Sequence, residues 1–318
     1  MRLSRLGLAA AFLAAAIVAP RLVPSSYAAN ALVTLALYVV LALAFDLMAG
    51  HVGAVSLAAP AFYAIGAYTA GILATRYDAG FLLTLAAGTA LAVLVAVAVG
   101  WPLFRLSDLA FAIGSLGLGL IAAALANNLT ELTGGPMCTT GVSPARVTLG
   151  PLVLSTVTPR AAYALVVLLA GAALLTYLAL TTHRVGRTVA MIQGDEPLAA
   201  AFGVNPLRHK LTLFAASAAL TAAAGVFYAH YTTVVCPADF SPFLTINLLV
   251  MVFVGGSGSL GGVLVGTALF VTVSEAVRGF AHLGNLLFGA VLLLAVLALP
   301  RGVWGWVTGL GRRHRRVA

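Results

Sequence analysis

Apolar residues in this chain do not recur with the spacing of one-sided soluble helices or the alternation of half-buried strands. They run on for roughly twenty positions at a time, the length a helix needs to cross a hydrocarbon layer about 30 Å thick. Between charges and turn residues, the runs fall near 5–23, 29–49, 53–75, 81–104, 108–128, 160–181, 210–231, 243–256, 259–277 and 283–299. The pattern predicts an all-α fold, a polytopic membrane helix bundle of about ten spans. Its least regular part is the pair 243–256 and 259–277. The first run is short for a full crossing, and the glycines from Gly255 to Gly262 suit a break within a helix as well as a loop.

Composition strengthens this reading. Of 318 residues, 62% are hydrophobic and 8% charged, whereas a soluble domain carries about 25% charged residues to wet its surface. Two cysteines are too few for a disulfide-framed fold. The net charge of +9 lies in short clusters at the ends of apolar runs, among them Arg2 and Arg5, Arg184 and Arg187, and Arg312, Arg313, Arg315 and Arg316. These clusters lack the interleaved aromatics of a base-stacking surface, so the expected partner is a lipid bilayer and not nucleic acid. With the amino terminus inside and ten crossings, the cytoplasmic face receives Arg2, Arg5, Arg105, Arg184, Arg187, Arg208, Lys210, Arg301 and the four carboxy-terminal arginines, 12 of the 17 basic residues. Arg21, Arg76, Arg146, Arg160 and Arg278 stay outside, and the bias favours this orientation, with both termini cytoplasmic. Arg2, Arg5, the run from Leu6 to Val18 and Ser26-Tyr27-Ala28 also fit the outline of a cleavable signal. An uncleaved first helix is favoured, because it can insert a multi-span protein without processing.

Two connections are long: 128–159 on the outer side and 182–209 on the inner side. Cys138 and Cys236 both fall outside, where a disulfide could form. Two unpaired thiols fit the sequence equally well, since it gives no distance between them.

Much chemistry is absent. The single lysine, Lys210, is not part of a phosphate-cradling loop. Gly256-Ser257-Gly258-Ser259-Leu260-Gly261 matches the dinucleotide fingerprint by letter, but lies within an apolar stretch and not between a strand and a helix. It reads as small-residue packing or a broken helix. The histidines at 51, 183, 209, 230, 282 and 314 lack metal-ligand spacing. Ser217, Ser257, Ser259 and Ser274 are expected to bond carbonyls of their own helices rather than act as nucleophiles. Asn128-Leu129-Thr130 fits a glycosylation acceptor, but lies close to a span. The chain is expected to be no enzyme and to hold neither metal nor cofactor.

What remains points to transport. Asp46, near the end of the second run, and His51 are ionisable groups at membrane depth, which are functional candidates by default. Asp46 suits two roles equally: accepting amides freed by Gly50 and Gly53, or lining a solute path. Glu275 and Arg278, three apart, are expected to neutralise each other. The glycine-punctuated segments 50–68 and 254–266 predict interrupted helices, and unsatisfied backbone at membrane depth implies a conduit; close helix contact alone is the other use of such glycines. In the inner loop, Asp195 can cap a helix begun by Glu196 and Pro197, continued to Phe202 and ended by Gly203. Leu198, Ala199 and Phe202 would give this short rod an apolar face, for a partner's groove or for the lipid surface.

At this loop the chain resembles a known family, the permease subunits of ABC importers for branched-chain and other hydrophobic amino acids, and within it the LivM-type subunit. The resemblance rests on GHVGAVSLAAPAFYAIGAY at 50–68, NNLTELTGGPMCTTGV at 127–142, the loop ending at Lys210, ALTAAAGVFYAHY at 219–231 and VGGSGSLGGVLVG at 254–266. It implies one transmembrane permease domain over 1–318, with an outer loop at 128–159, a cytoplasmic coupling loop at 182–209 and a basic cytoplasmic tail at 300–318. It implies residence in a bacterial inner membrane beside a second homologous permease, two cytoplasmic ATPases that bind the ATP, and a periplasmic substrate-binding protein. Arg184, Gly186, Arg187, Asp195, Glu196, Ala199, Ala200, Phe202 and Gly203 would couple to the ATPase. Asp46, His51, Ser56, Phe62, Tyr63, Tyr68, Asn127, Gly255, Gly256, Ser257 and Gly258 would line the translocation path. The family pattern is broken at Asp46, His51, Ala54 and Ala58-Ala59, which leaves a branch carrying urea or short amides open. From another class, an ion-coupled carrier would use Asp46 and His51 for its proton, but has no need of a capped docking helix.

Overall fold

The computed structural model describes residues 26–149, 152–277 and 303–305, together with Gly7. The expected spans at 5–23 and 283–299, Arg278 of the expected ion pair and all of the basic tail except 303–305 lie outside the described residues.

Eleven α-helices are described: α1 (Ser26–Asp46), α2 (Ala59–Tyr77), α3 (Phe81–Leu103), α4 (Asp108–Asn128), the single turn α5 (Thr130–Thr133), α6 (Pro159–Thr182), α7 (Arg184–Gly194), α8 (Glu196–Ala201), α9 (Pro206–Thr232), α10 (Phe243–Gly255) and α11 (Leu260–Val277). Five stretches among the described residues are long and apolar enough to cross a membrane: α1 with the turn that follows it, α3, α4, α6 and α9. Local chemistry sets many of the ends. Thr158 and Asn205 cap α6 and α9 by accepting the amides of Ala161 and Arg208, and in each helix proline comes first, where its missing N–H costs nothing. Asp78 and Thr233 close α2 and α9 in the left-handed conformation. The run expected at 53–75 starts as helix only at Ala59. Gly53 turns left-handed with φ 81° and Pro60 stands at the first turn of α2, so 53–58 has no regular structure. Its Leu57 amide is satisfied by Ser115 Oγ of α4, 2.8 Å away.

The centre of the bundle is α1. Every residue from Val39 to Ala49 is buried, as expected of a helix apolar on all sides. Around it the helices approach closely through small residues, the device available where lipid is as apolar as the helix faces. A Cβ on Gly66 of α2 would overlap the Ala222 carbonyl of α9, and one on Gly225 would overlap the Tyr63 carbonyl in return. Leu82, Leu94, Trp101, Ile113 and Leu125 on α3 and α4 are exposed, forming an apolar exterior suited to a bilayer.

The long connection at 128–159 is folded. Strand β1 (Thr139–Thr140) pairs antiparallel with β4 (Val234–Val235), while β2 (Arg146–Leu149) and β3 (Leu152–Ser155) form a hairpin. A disulfide joins Cys138 to Cys236 beside the β1–β4 pair. His230 fastens this end to the helices: Nδ1 donates to the Ser143 carbonyl at 2.7 Å, and Nε2 lies within hydrogen-bond distance of Thr84 Oγ1, 2.9 Å away. The helix pair α7–α8 lies at the opposite end of the bundle. Closing a loop across 98 residues of sequence stabilises a fold by roughly 4–5 kcal/mol through the unfolded chain's entropy. We therefore expect Cys138→Ser to lower the melting temperature in detergent relative to wild type, and reductant to lower wild type to the same value while leaving the variant unchanged.

Candidate functional site

The two interruptions that the glycine segments predict meet inside the bundle. After Asp46, α1 widens into one π-helical turn, Leu47–Val52, a feature that concentrates at functional sites. Nearby, the Ala44 carbonyl accepts from Ser217 Oγ of α9 at 2.7 Å; this serine bonds across to α1, contrary to the expectation of an own-helix partner, because the widened turn offers it an acceptor. On the facing side α10 stops at Gly255, and Gly256 and Gly258 take φ of 116° and 71° before α11 begins. The Asp46 carboxylate spans the gap. Oδ1 accepts the Gly258 amide at 2.8 Å and Oδ2 accepts the Tyr177 hydroxyl of α6 at 2.6 Å. Asp46 is fully buried, and both oxygens engage donors, which makes a charge at this depth tolerable. Gly50 must lack a side chain, since a Cβ there would overlap both Asp46 Oδ1 and the Gly258 nitrogen. His51 Nδ1 lies 3.3 Å from the Asp46 carbonyl oxygen and 3.5 Å from Oδ2, with its ring edge-on to Tyr177.

Two cavities flank this junction. One of about 10 Å³, the size of a single water, is lined by Phe45, Met48, Ser56, Phe62, Phe214 and Ser217, among others. The other, of about 320 Å³, lies towards the disulfide end between α1, α2, α9 and α10, and its walls include Tyr38, Tyr63, Tyr228, Tyr231, Asp239 and Leu244. The expected path residues therefore divide. Ser56 and Phe62 line the small cavity and Tyr63 the large one. Asp46, His51, Gly255, Gly256 and Gly258 build the junction between the broken helices, and line neither cavity. Ser257 is exposed at the tip of the break. Tyr68 is buried against Phe240, its hydroxyl without a hydrogen bond. Asn127 lines neither cavity: its side chain is exposed and donates to the Ala123 carbonyl of its own helix at 2.9 Å. Tyr38, Tyr228, Tyr231 and Asp239 were not anticipated as lining. The aromatic spacing of 227–231 was the available signal.

At the opposite end, α8 forms as its local residues predict. Asp195 Oδ1 accepts the Leu198 amide at 2.9 Å, proline occupies the first turn and Gly203 follows with φ 79°. Phe202 and Leu198 are 72% and 54% exposed. Ala199, expected on the apolar contact face, is instead buried at 1%; a residue one step along a helix turns by about 100°, so it faces the bundle when Leu198 faces out. Ala200, Asp195, Glu196, Arg184 and Arg187 are exposed and Gly186 is half-buried. Glu196 pairs with Lys210 at the start of α9, tying the rod to the bundle. The whole of α7 was missed as a helix, although Val185, Val189 and Ile192 recur at helical spacing. It buries Val189 and Ile192, and Gly186 allows it to fold back on the Thr181 carbonyl of α6. Val189 packs in the same cluster as Met48, Val52 and Ala54 of the π-helical turn and its exit, and Gln193 lies beside Gly53.

Among the described residues no three His, Cys, Asp or Glu side chains gather as metal ligands. Apolar helices long enough to cross a membrane, two interruptions meeting inside the bundle and a chamber beside the central helix are together the features of a polytopic membrane transport protein. The family described as "Branched-chain amino acid transport system / permease component" matches residues 27–296, and the chain belongs to it. It is 30% identical over 289 residues to the high-affinity branched-chain amino acid transport system permease protein LivM of Salmonella typhimurium and of Escherichia coli, an alignment covering 84% of this chain and 67% of each relative. It is 26% identical over 294 residues to the permease protein LivH of Escherichia coli, covering 84% and 91%. These relatives are transport components and not enzymes. No solved structure matches the chain.

Removing the Asp46 carboxylate would strand the buried Tyr177 hydroxyl and the half-buried Gly258 amide, at up to about 1–3 kcal/mol for a group left unpaired. We expect Asp46→Ala to lower the melting temperature markedly, and Asp46→Asn, whose amide oxygen still accepts, to lower it less. Identical unfolding curves for wild type and Asp46→Ala would remove this role.

Proposed function

We propose that the chain is the LivM-type membrane subunit of an ABC importer for branched-chain or related neutral amino acids, set in a bacterial inner membrane. It works with a second, homologous permease, two cytoplasmic ATPases that bind the ATP, and a periplasmic substrate-binding protein that supplies most of the selectivity. The α7–α8 end faces the cytoplasm and the disulfide end the periplasm. Family membership supports the reading. So does the disulfide, which suits an oxidising compartment, and so does the arginine bias towards the α7–α8 face.

The observation that carries the proposal is α8. It is capped by Asp195, seated on the bundle by buried Ala199, tied to α9 through Glu196 and Lys210, and it presents Leu198 and Phe202 outward. A protruding apolar edge on a braced rod is suited to a groove in an ATPase. Displacement of that edge passes along α7, through Val189 and Gln193, to the π-helical turn. From there Asp46 carries it to the break between α10 and α11. Nucleotide-driven closure of the ATPases thereby shifts both interruptions together, and the chain performs no chemistry of its own.

Two variants test this in proteoliposomes containing all partners. Gly203→Val places a β-branched residue at φ 79°, which such residues rarely adopt. It should leave insertion intact, reduce uptake at least tenfold and leave ATP hydrolysis running without transport. Phe202→Ala should weaken copurification of the ATPases. Undiminished uptake in both variants, or uptake by the chain alone driven by a proton gradient, would overturn the proposal.

A further inference from the structure

We propose that the 320 Å³ chamber near the disulfide end is a weak transit site that holds the substrate by its ammonium group and aliphatic side chain, with Asp239 as the anchor. The inference rests on the importer reading and adds a residue and a polarity to it. The volume lies within the range of small-molecule pockets, about 300–1,000 Å³. Its walls divide by chemistry. Leu37, Leu41 and Leu244 contribute apolar surface, while Tyr63 and Tyr228 contribute aromatic rings whose centroids lie 5.5 Å apart.

The charged group in the lining is Asp239. It sits in a 3₁₀ turn, Pro237–Phe240, directly after the disulfide cysteine, and Oδ2 accepts the Cys236 amide at 3.2 Å. That bond and the β1–β4 pair fix the carboxylate beside the Tyr228 hydroxyl. An anionic oxygen in a chamber lined by aromatic rings suits a primary ammonium, which gains from the opposite charge and, over a ring face, from the ring quadrupole. Several hydroxyls of the lining are already engaged: Tyr231 donates to Asn30 Oδ1, Thr34 donates to the Asn30 carbonyl, and Thr232 shares its one proton between the Tyr228 and Val234 carbonyls. The chamber thus favours a cation, and it reads the amine and the hydrocarbon of an aliphatic amino acid in preference to its carboxylate.

The test uses the intact complex in nanodiscs with a diazirine analogue of leucine as photoprobe, beside an uptake assay with leucine. The label should map to peptides of α1, α2 and α10 around the chamber. Leucine and 3-methylbutylamine should compete for it, whereas 4-methylpentanoate, which keeps the chain and carboxylate but lacks the amine, should not. Asp239→Asn retains an oxygen for the Cys236 amide while losing the charge, and should reduce labelling about tenfold with the disulfide intact. Leu244→Trp fills the chamber without altering the Asp239 turn and should reduce labelling as well. Undiminished labelling in both variants, equal competition by 4-methylpentanoate, or labelling only outside the chamber while leucine uptake persists would overturn the transit site and leave the importer reading standing. Absence of leucine uptake by the wild-type complex would overturn that reading itself.

Discussion

A carboxylate buried in an apolar bundle is an expense that needs a compensating partner, and the partner here is broken backbone. Gly258 has an amide with no helical acceptor because α10 has ended and α11 has not begun; Asp46 supplies that acceptor, and Tyr177 occupies its second oxygen. Neither feature is stable without the other: the break would strand a donor and the acid a charge. The dependence extends to Gly50, whose bare Cα makes the room in which they meet. Two irregularities far apart in sequence are thereby one mechanical unit, and the long helices around them can remain regular.

The rest of the bundle is arranged to keep this unit seated while leaving its surroundings adjustable. Paired glycines lock α2 to α9 at backbone contact, and His230 locks the far end by reaching both α3 and the segment before β2. At the other end, the fixings are a short capped rod, one ion pair and a small apolar cluster. Rigidity is thus concentrated around the aromatic chamber. The end near α8 is held by fewer and more peripheral bonds.

Features written in neighbouring residues could be read from the sequence. Apolar run length gave the long helices, glycine clusters gave both interruptions, and Asp195, Pro197 and Gly203 gave α8 almost to the residue. Features that depend on distant partners could not be read. The two roles open to Asp46 differ only in what faces it, and Tyr177, 131 positions away, has no spacing relation to it. Ala199 and Leu198 are adjacent and both apolar, so only the docked orientation of the rod assigns one inward and one outward. Asn127 sits in a recognisable motif, yet its rotamer turns back onto its own helix. The start of α2 moved six residues because Gly53 and Pro60 acted on the backbone more strongly than the continuous apolar run suggested. Both uses of glycine occur, at different residues: Gly256 and Gly258 turn the chain, while Gly66 and Gly225 bring helices together.

The disulfide gives the chain a closed contour. From Cys138 the polypeptide runs through α6, α7, α8 and α9 and returns to Cys236, where it is sealed. The exposed rod is therefore the far bight of a covalent ring clasped on the other side of the bundle, held by two arms. A pull at Phe202 is shared between α6 and α9, and a single nick within the ring leaves the molecule in one piece.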